Sequence, residues 1–155
     1  MNAPLNAQYS ADMQVRKNLD FQLEEKMPRF WFGGHPFKTR VFDALSLTFP
    51  DGERYFISSV RLYRDQITDP ELQAKVKDFI LQEAQHGIAH DKMNQILIDQ
   101  GMPVDAMIGE MKSRFDDWLE NRSPQLNIAI TAASEHLTAL MAECFYANKS
   151  TLAEV

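Results

Sequence analysis

The segment between Asp69-Pro70 and Gly101 constrains the fold most, because its apolar residues repeat at helical spacing without interruption. Asp followed by Pro is a strong signal for a helix start, and Gly is a common residue just after a helix end. The pattern therefore predicts one helix of roughly thirty residues. Since no segment shows the alternation of a strand, we expect an all-α fold, a helical bundle.

Three further helices complete this prediction. The turn signal Phe49-Pro50-Asp51-Gly52 precedes a helix from Glu53 to about Ile67. Pro103 begins a third amphipathic helix that runs to about Asn121. Ser123-Pro124 opens a fourth helix, which is apolar nearly all round from Leu126 to Phe145. We expect this fourth helix to be central in the fold.

The residues before the first predicted helix have a different character. Residues 1–28 are polar and aperiodic, which predicts an arm that is loose or wraps the body, and residues 29–155 then form the bundle. Phe30, Trp31, Phe32 and Phe37 surround a Gly-Gly pair, which favours an aromatic-rich loop packed on the bundle. His35 belongs to this loop, where a structural role is favoured over that of a ligand.

Charge and cysteine usage narrow the function. The chain has 22 acidic and 16 basic side chains, a net charge of −6, which argues against nucleic acid or an anionic membrane surface as the main partner. The single cysteine excludes a disulfide within the chain and favours a reducing compartment. With no secretory signal and no run of about 18 apolar residues, we expect a soluble cytoplasmic protein that acts on a small molecule.

Ionisable groups interrupt the apolar face of the long helix at Glu83, His86 and His90. A carboxylate buried alone is costly, so it needs a cation, a counter-charge or several hydrogen bonds. Residues three apart share a helix face, so Glu83 and His86 can direct an oxygen and a nitrogen at one ion. The alternative is a buried ion pair without metal. His90 is a ligand, a partner that orients His86, or a core histidine with a hydrogen-bonded ring.

Two other carboxylates stand among apolar residues. Glu53 shares a helix face with Phe56 and Val60, although its place near the predicted helix start also fits an acidic residue that favours the helix dipole. Glu135 lies in the nearly uncharged fourth helix, aligned with small residues that leave room for an ion. His136 points elsewhere on that helix and is an additional candidate, with simple packing slightly favoured over a role behind the ligands.

The order of these groups is a lone Glu, a Glu-x-x-His and a second lone Glu on three helices. Four-helix di-metal carboxylate proteins use two helices that give a Glu each and two that give a Glu-x-x-His each. No other Glu in the 155 residues is followed by His at the third position. The remaining ligands of a second metal are therefore not encoded in this sequence.

From about residue 28 to 145 the chain resembles the bacterial predicted metal-dependent hydrolases of the ferritin-like superfamily. The landmarks of the resemblance are Phe49-Pro50, Gly52-Glu53, Ser59-Val60-Arg61, Asp69-Pro70-Glu71, Gln82-Glu83, His86, His90, Ala133 and Glu135-His136-Leu137. The resemblance implies a di-metal bundle with Glu53, Glu83, His86 and Glu135 as metal ligands. It also implies later helices with a second Glu/His motif, so we expect a homodimer or a missing C-terminal part to complete the site.

Three functions follow from these ligands. Two iron ions favour oxidase or oxygenase chemistry, with Glu83 bridging the metals, Glu53 and His86 as terminal ligands and Glu135 on the second metal. Zinc or manganese favours hydrolysis, with Glu135 accepting a proton from water. The third function is a non-catalytic metal-binding or structural bundle. We take di-iron chemistry as the prediction and the other two as alternatives; the aromatic-rich loop favours an apolar substrate.

Overall fold

The computed structural model describes residues 15–17, 21–23, 26–148 and 150. These residues form four helices and no strand: α1 (Pro36–Arg64), α2 (Pro70–Asp99), α3 (Val104–Asn121) and α4 (Pro124–Ala147). The prediction of an all-α helical bundle is confirmed. Among the described helices, none combines the length and the apolar character that crossing a bilayer requires.

The starts of α2 and α4 follow the predicted capping residues. The Asp69 side chain accepts a hydrogen bond from the backbone N–H of Glu71 at 3.1 Å, and Ser123 Oγ accepts one from Leu126 at 3.2 Å. In both helices a proline occupies the first turn, where its missing N–H costs nothing. Gly101, with a φ of +85°, follows the end of α2 in a left-handed conformation that suits glycine.

Helix α1 begins at Pro36, so the predicted turn before Glu53 is wrong. Pro50 lies inside this continuous helix and cannot donate the hydrogen bond that the carbonyl of Ser46 would normally accept. Asn94 Nδ2 on α2 donates to that carbonyl at 3.5 Å instead. A contact between helices thus replaces the bond that proline removes, and no local sequence signal announces it.

The aromatic segment before α1 is a series of turns, as predicted for part of it. Phe32 is only 1% exposed, and Trp31 packs against the core while its Nε1 donates to Asp43 Oδ1 at 2.9 Å. Phe37 differs from the prediction, since it belongs to α1 and is 73% exposed. His35 has the structural role that the sequence favoured, because its Nδ1 caps α1 by accepting from a backbone N–H at 3.4 Å.

Helix α1 lies at the centre and contacts each of the other three helices. The apolar core joins α1, α2 and the start of α3 through Leu47, Met93, Leu97 and Val104. Along their whole described length, α2 and α4 bring no pair of Cα atoms within 8 Å of each other. They therefore flank α1 and leave a groove between them, with α1 as its floor.

The prediction that α4 is central is wrong. Its buried side chains are Asn127 and Thr131, whereas Leu137 and Leu140 are 65% and 44% exposed. Tyr55 donates to Asn127 Oδ1 at 2.9 Å, and the hydroxyls of Ser59 and Thr131 lie 2.7 Å apart. These polar contacts and the rings of Phe42 and Phe145, whose centroids lie 5.3 Å apart, attach α4 to α1, and the other apolar side chains of α4 border the groove and the surface.

Part of the predicted N-terminal arm lies against the bundle. The backbone N–H of Arg16 donates to Gln82 Oε1 on α2 at 3.0 Å, and Leu23 and Met27 pack against the core. The other residues of the predicted arm, 1–14, 18–20 and 24–25, lie outside the described residues, as do 149 and 151–155. The division at residue 28 remains a prediction.

Candidate metal centre

Three of the four predicted ligands meet on the floor and one wall of the groove. Glu53 comes from the middle of α1, and Glu83 and His86 come from one face of α2. One ligand atom from each lies within 4.8 Å of the other two. The Glu53 carboxylate reaches the backbone of α2, since a Cβ atom added at Gly87 would lie 3.2 Å from Glu53 Oε2. The helix register therefore brings the three groups together.

Glu83 and His86 face the same point from successive turns of α2. His86 Nδ1 lies 3.2 Å from Glu83 Oε1, and this hydrogen bond raises the pKa of His86 although burial opposes it. The Gln82 side-chain amide lies 2.8 Å from the other ring nitrogen, Nε2, and fixes the ring. The Glu83 side chain is 8% exposed and that of His86 44%, so the imidazole borders open space.

The position of Glu53 rules out the helix-dipole explanation. The helix begins far away at Pro36, so Glu53 has no unpaired N–H groups of a helix start beside it. Its Oε2 is buried without a hydrogen-bond partner among the described residues. Burial, and next the nearby charge of Glu83, raise the pKa of Glu53 to about 8. The protein thus holds a carboxyl group where a negative charge is costly without a cation.

Glu135 lies near this group without being part of it. It does not belong to the set of ligand atoms within 4.8 Å, but it faces the same cavity as Glu53, Glu83 and His86. Burial, and next the charge of Glu83, raise the pKa of Glu135 to about 7. Its Oε1 is also buried without a hydrogen-bond partner among the described side chains. Its role as a metal ligand, which the resemblance implies, remains a prediction.

His90 is held in a hydrogen-bonded network one turn below the ligands. Ser46 donates its hydroxyl proton to Asn94 Oδ1 at 3.2 Å, so His90 Nδ1 is the donor in its 3.0 Å bond to Ser46. Its Nε2 then carries a lone pair and faces Glu53 Oε1 at 4.0 Å. Burial, and next the charge of His86, lower the pKa of His90 to about 4. The ring is therefore neutral and lies beside Glu53 without a hydrogen bond to it.

The set of residues at the site differs from the sequence-based prediction in two respects. His136 is exposed and does not line the cavity, so the structure does not bring it to the other candidates. Gln82 and Ser46 were missed, although each holds a histidine of the site. Gln82 lies four residues before His86, and this spacing was a usable signal. No sequence signal pointed to Ser46, because this residue precedes Glu53, where the first predicted helix begins.

The donor set fits a divalent cation. Bonds of about 2 Å to zinc place two ligand atoms on one ion roughly 3 Å apart, close to the 3.2 Å between His86 Nδ1 and Glu83 Oε1. A cation also offers Glu53 Oε2 the partner that it otherwise lacks. Two carboxylates and one imidazole are common ligands of zinc, manganese and iron. Glu53, Glu83 and His86 are thus the residues that would hold the ion.

The metal-free protein should lose stability as the pH rises above 6.5. The folded-state pKa of Glu53, about 8, exceeds the ordinary value of 4.5, so the unfolded chain releases a proton that the folded chain keeps. The free energy of unfolding therefore falls up to about pH 8, by the order of a few kcal/mol. His90, with its lowered pKa of about 4, acts in the opposite direction only below pH 6.5. Glu53→Gln should flatten this decline in urea unfolding with chelator at pH 6.5 and 8.5.

Glu71→Gln is the matched control for this measurement. Glu71 is 74% exposed and pairs with Lys75 on the surface of α2, so its loss should leave the pH slope unchanged. Equal slopes in the wild type and in Glu53→Gln would contradict the assigned burial of Glu53.

A comparison with known protein families agrees with this chemistry. The model of one family, described as predicted metal-dependent hydrolase, matches residues 15–155. No curated protein and no solved structure matched the chain significantly. The match covers most of the sequence and includes every residue of the candidate centre. The chain therefore belongs to the family of predicted metal-dependent hydrolases.

Proposed function

We propose that the protein is a metal-dependent hydrolase in which Glu53, Glu83 and His86 hold one divalent cation and Glu135 acts as the general base. The observation that carries this proposal is the group of three ligand atoms within 4.8 Å of one another, on the wall of a cavity of about 680 Å³. Catalytic zinc sites commonly have three protein ligands and keep a further position for water or substrate.

The exposure of the ligands supports an accessible site. The two carboxylates are nearly buried, with 7% and 8% of the side chains of Glu53 and Glu83 exposed. The His86 side chain, 44% exposed, borders the groove between α2 and α4. Buried carboxylates hold an ion firmly, and an open side lets water and substrate approach it. A structural site would instead enclose the ion completely.

Glu135 supports the hydrolytic role through its position and its pKa. A divalent cation at this site would polarise a carbonyl group and lower the pKa of a nearby water molecule. Glu135 faces the same cavity, and its pKa of about 7 suits a group that takes up and releases a proton near neutral pH. It accepts the proton of the attacking water and returns it to the leaving group.

Iron-dependent oxidase or oxygenase chemistry is the second candidate. A Glu on α1, a Glu-x-x-His on α2 and Glu135 on α4 also agree with three of the four ligand-bearing helices of a ferritin-like di-iron bundle. Glu135 lies close enough for its charge to affect the pKa of Glu53. This candidate needs the ligands of a second ion, whereas the described residues form one group of three.

Metal content and turnover separate these candidates. Protein purified without chelator should contain about one zinc or manganese per chain and hydrolyse a p-nitrophenyl ester, and His86→Ala should lose this activity. After metal is removed with a chelator, added metal should restore activity in the wild type but not in the variant. Oxygen consumption with ferrous iron and two iron atoms per chain would favour the oxidase. Metal without either activity would favour a non-catalytic bundle, and the absence of metal binding under all conditions would overturn the proposal.

A further inference from the structure

Two apolar cavities meet at Glu135, beside the candidate metal centre. The larger, of about 680 Å³, has Glu53, Glu83, His86 and Glu135 in its wall. The smaller, of about 450 Å³, extends between α2 and α4 toward Tyr63 and also has Glu135 in its wall. Since the carboxyl group of Glu135 borders both, a ligand beside Glu135 has an apolar space on each side.

The larger cavity becomes aromatic with distance from the ligands. Phe49 and Phe42 precede Glu53 by one and three turns of α1, so this wall extends about 16 Å at 1.5 Å per residue. The rings of Phe42 and Phe145 lie 5.3 Å apart, and Trp31 lies 6.2 Å from Phe42. These rings form an apolar end suited to a hydrocarbon group rather than to a polar one.

The charges around the larger cavity favour a neutral ligand. No Lys or Arg is among the described residues that line it, whereas Glu53, Glu83 and Glu135 are. The smaller cavity has Lys75 in its wall, and the ammonium group of Lys75 is paired with Glu71 at 2.6 Å. One divalent cation would offset these carboxylates without leaving the excess positive charge that recognises phosphate. A phosphodiester or a free carboxylate is therefore disfavoured, and an uncharged ester fits.

Unpartnered polar atoms indicate where the polar part of a ligand belongs. Glu53 Oε2 and Glu135 Oε1 are buried without a hydrogen-bond partner among the described residues. Both residues border the larger cavity, and Glu135 also borders the smaller one. A buried polar atom without a partner is costly, and a polar group of the ligand together with the cation would relieve that cost.

We propose that the substrate is a neutral ester with an apolar group on each side of its carbonyl, the longer group in the larger cavity and the shorter in the smaller. This inference rests on the proposed hydrolytic function. The water oxygen forms a bond to the carbonyl carbon, and Glu135 accepts the water proton. The carbon–oxygen bond of the ester then breaks, and the proton passes to the leaving alkoxide, which gives a carboxylic acid and an alcohol.

The first test is a chain-length series with the zinc-loaded protein and p-nitrophenyl acetate, butyrate and octanoate. Octanoate has six more methylenes than acetate and each buried methylene contributes a factor of about four, so kcat/KM should rise by up to about 4,000-fold from acetate to octanoate. Bis-p-nitrophenyl phosphate should be hydrolysed no faster than without protein. Equal kcat/KM for all three esters, or faster phosphodiester hydrolysis, would overturn the inference.

A substitution on α4 tests the location of the chain. Ala142→Phe fills part of the larger cavity and should lower the octanoate-to-acetate ratio of kcat/KM at least tenfold. Ala133→Phe is the matched control, because Ala133 is exposed on the same helix and lines neither cavity, and it should leave the ratio unchanged. Equal ratios in the two variants would contradict the assigned location.

Binding without turnover distinguishes failure of this inference from failure of the proposed function. The ketone 2-undecanone has no leaving group, and it should displace the apolar dye Nile red from the zinc-loaded protein far better than 2-butanone does. Displacement together with inactivity toward every ester would sustain the apolar site and refute hydrolysis. Activity without preferential displacement would refute the apolar site. A dye site that disappears as the protein dimerises would assign the groove to a second copy and also refute it.

Discussion

The double variant Glu83→Ala, His86→Ala should lose all stabilisation by divalent cations. For the wild type, a cation at 100 times its dissociation constant adds about 2.7 kcal/mol to the free energy of unfolding. In a chain of this size that corresponds to a rise in Tm of roughly 5–10 °C. The variant removes two of the three ligands in the group around Glu53, so its Tm should not respond to zinc, manganese or ferrous iron.

The matched control removes one Glu and one His from exposed positions. In Glu71→Ala, His136→Ala the metal-induced rise in Tm should equal that of the wild type, because neither residue belongs to the group of ligand atoms. Elemental analysis of both proteins, purified without chelator, provides a second readout. Equal metal content and equal shifts in the two double variants would place the ion elsewhere in the protein.

Glu135→Gln should lower kcat for ester hydrolysis by about 10² to 10⁴-fold, the usual contribution of a general base. The amide has nearly the shape of the carboxyl group but accepts no proton at neutral pH. Because Glu135 stands outside the three-residue group, the variant should bind the cation as tightly as the wild type does. Glu143→Gln, an exposed substitution on the same helix, should leave both quantities unchanged.

The combination of metal affinity and rate decides the role of Glu135. A lowered kcat with unchanged metal affinity would assign it as the base. If metal affinity falls together with kcat, Glu135 is a ligand, and the di-metal arrangement implied by the family resemblance gains support. A variant as active as the wild type would remove Glu135 from the chemistry.

The sequence predicted the starts of α2 and α4 because these signals are local. Asp69 and Ser123 cap their helices through hydrogen bonds to residues two and three positions later. The first half of α1 escaped prediction because Pro50 breaks a helix unless its lost hydrogen bond is replaced. Here Asn94, distant in sequence, donates to the freed carbonyl of Ser46.

The position of α4 in the fold was predicted incorrectly for a different reason. Periodicity identifies the buried face of a helix only when the opposite face is polar, and α4 is apolar nearly all round. The pattern could not show that Leu137 and Leu140 are exposed while Asn127 and Thr131 are buried. The candidate site was easier to predict, because a Glu or His on an apolar face is unusual wherever its helix packs. The relation of Glu53 to His90 and Ser46 required the three-dimensional structure.

The way α4 is attached determines which part of the site is lost first when the protein opens locally. Helices α1 and α2 share the apolar core, whereas α4 is joined to α1 through the polar pairs Tyr55–Asn127 and Ser59–Thr131 and the ring contact Phe42–Phe145, and does not reach α2. Partial unfolding that releases α4 alone exposes little core, so it requires less free energy than global unfolding. Amide protons of α4 would then exchange with solvent ahead of those of α2. Such an excursion carries Glu135 away while Glu53, Glu83 and His86 stay in place, so that mild denaturant should abolish the proposed hydrolysis at a concentration that still leaves a bound cation in its site.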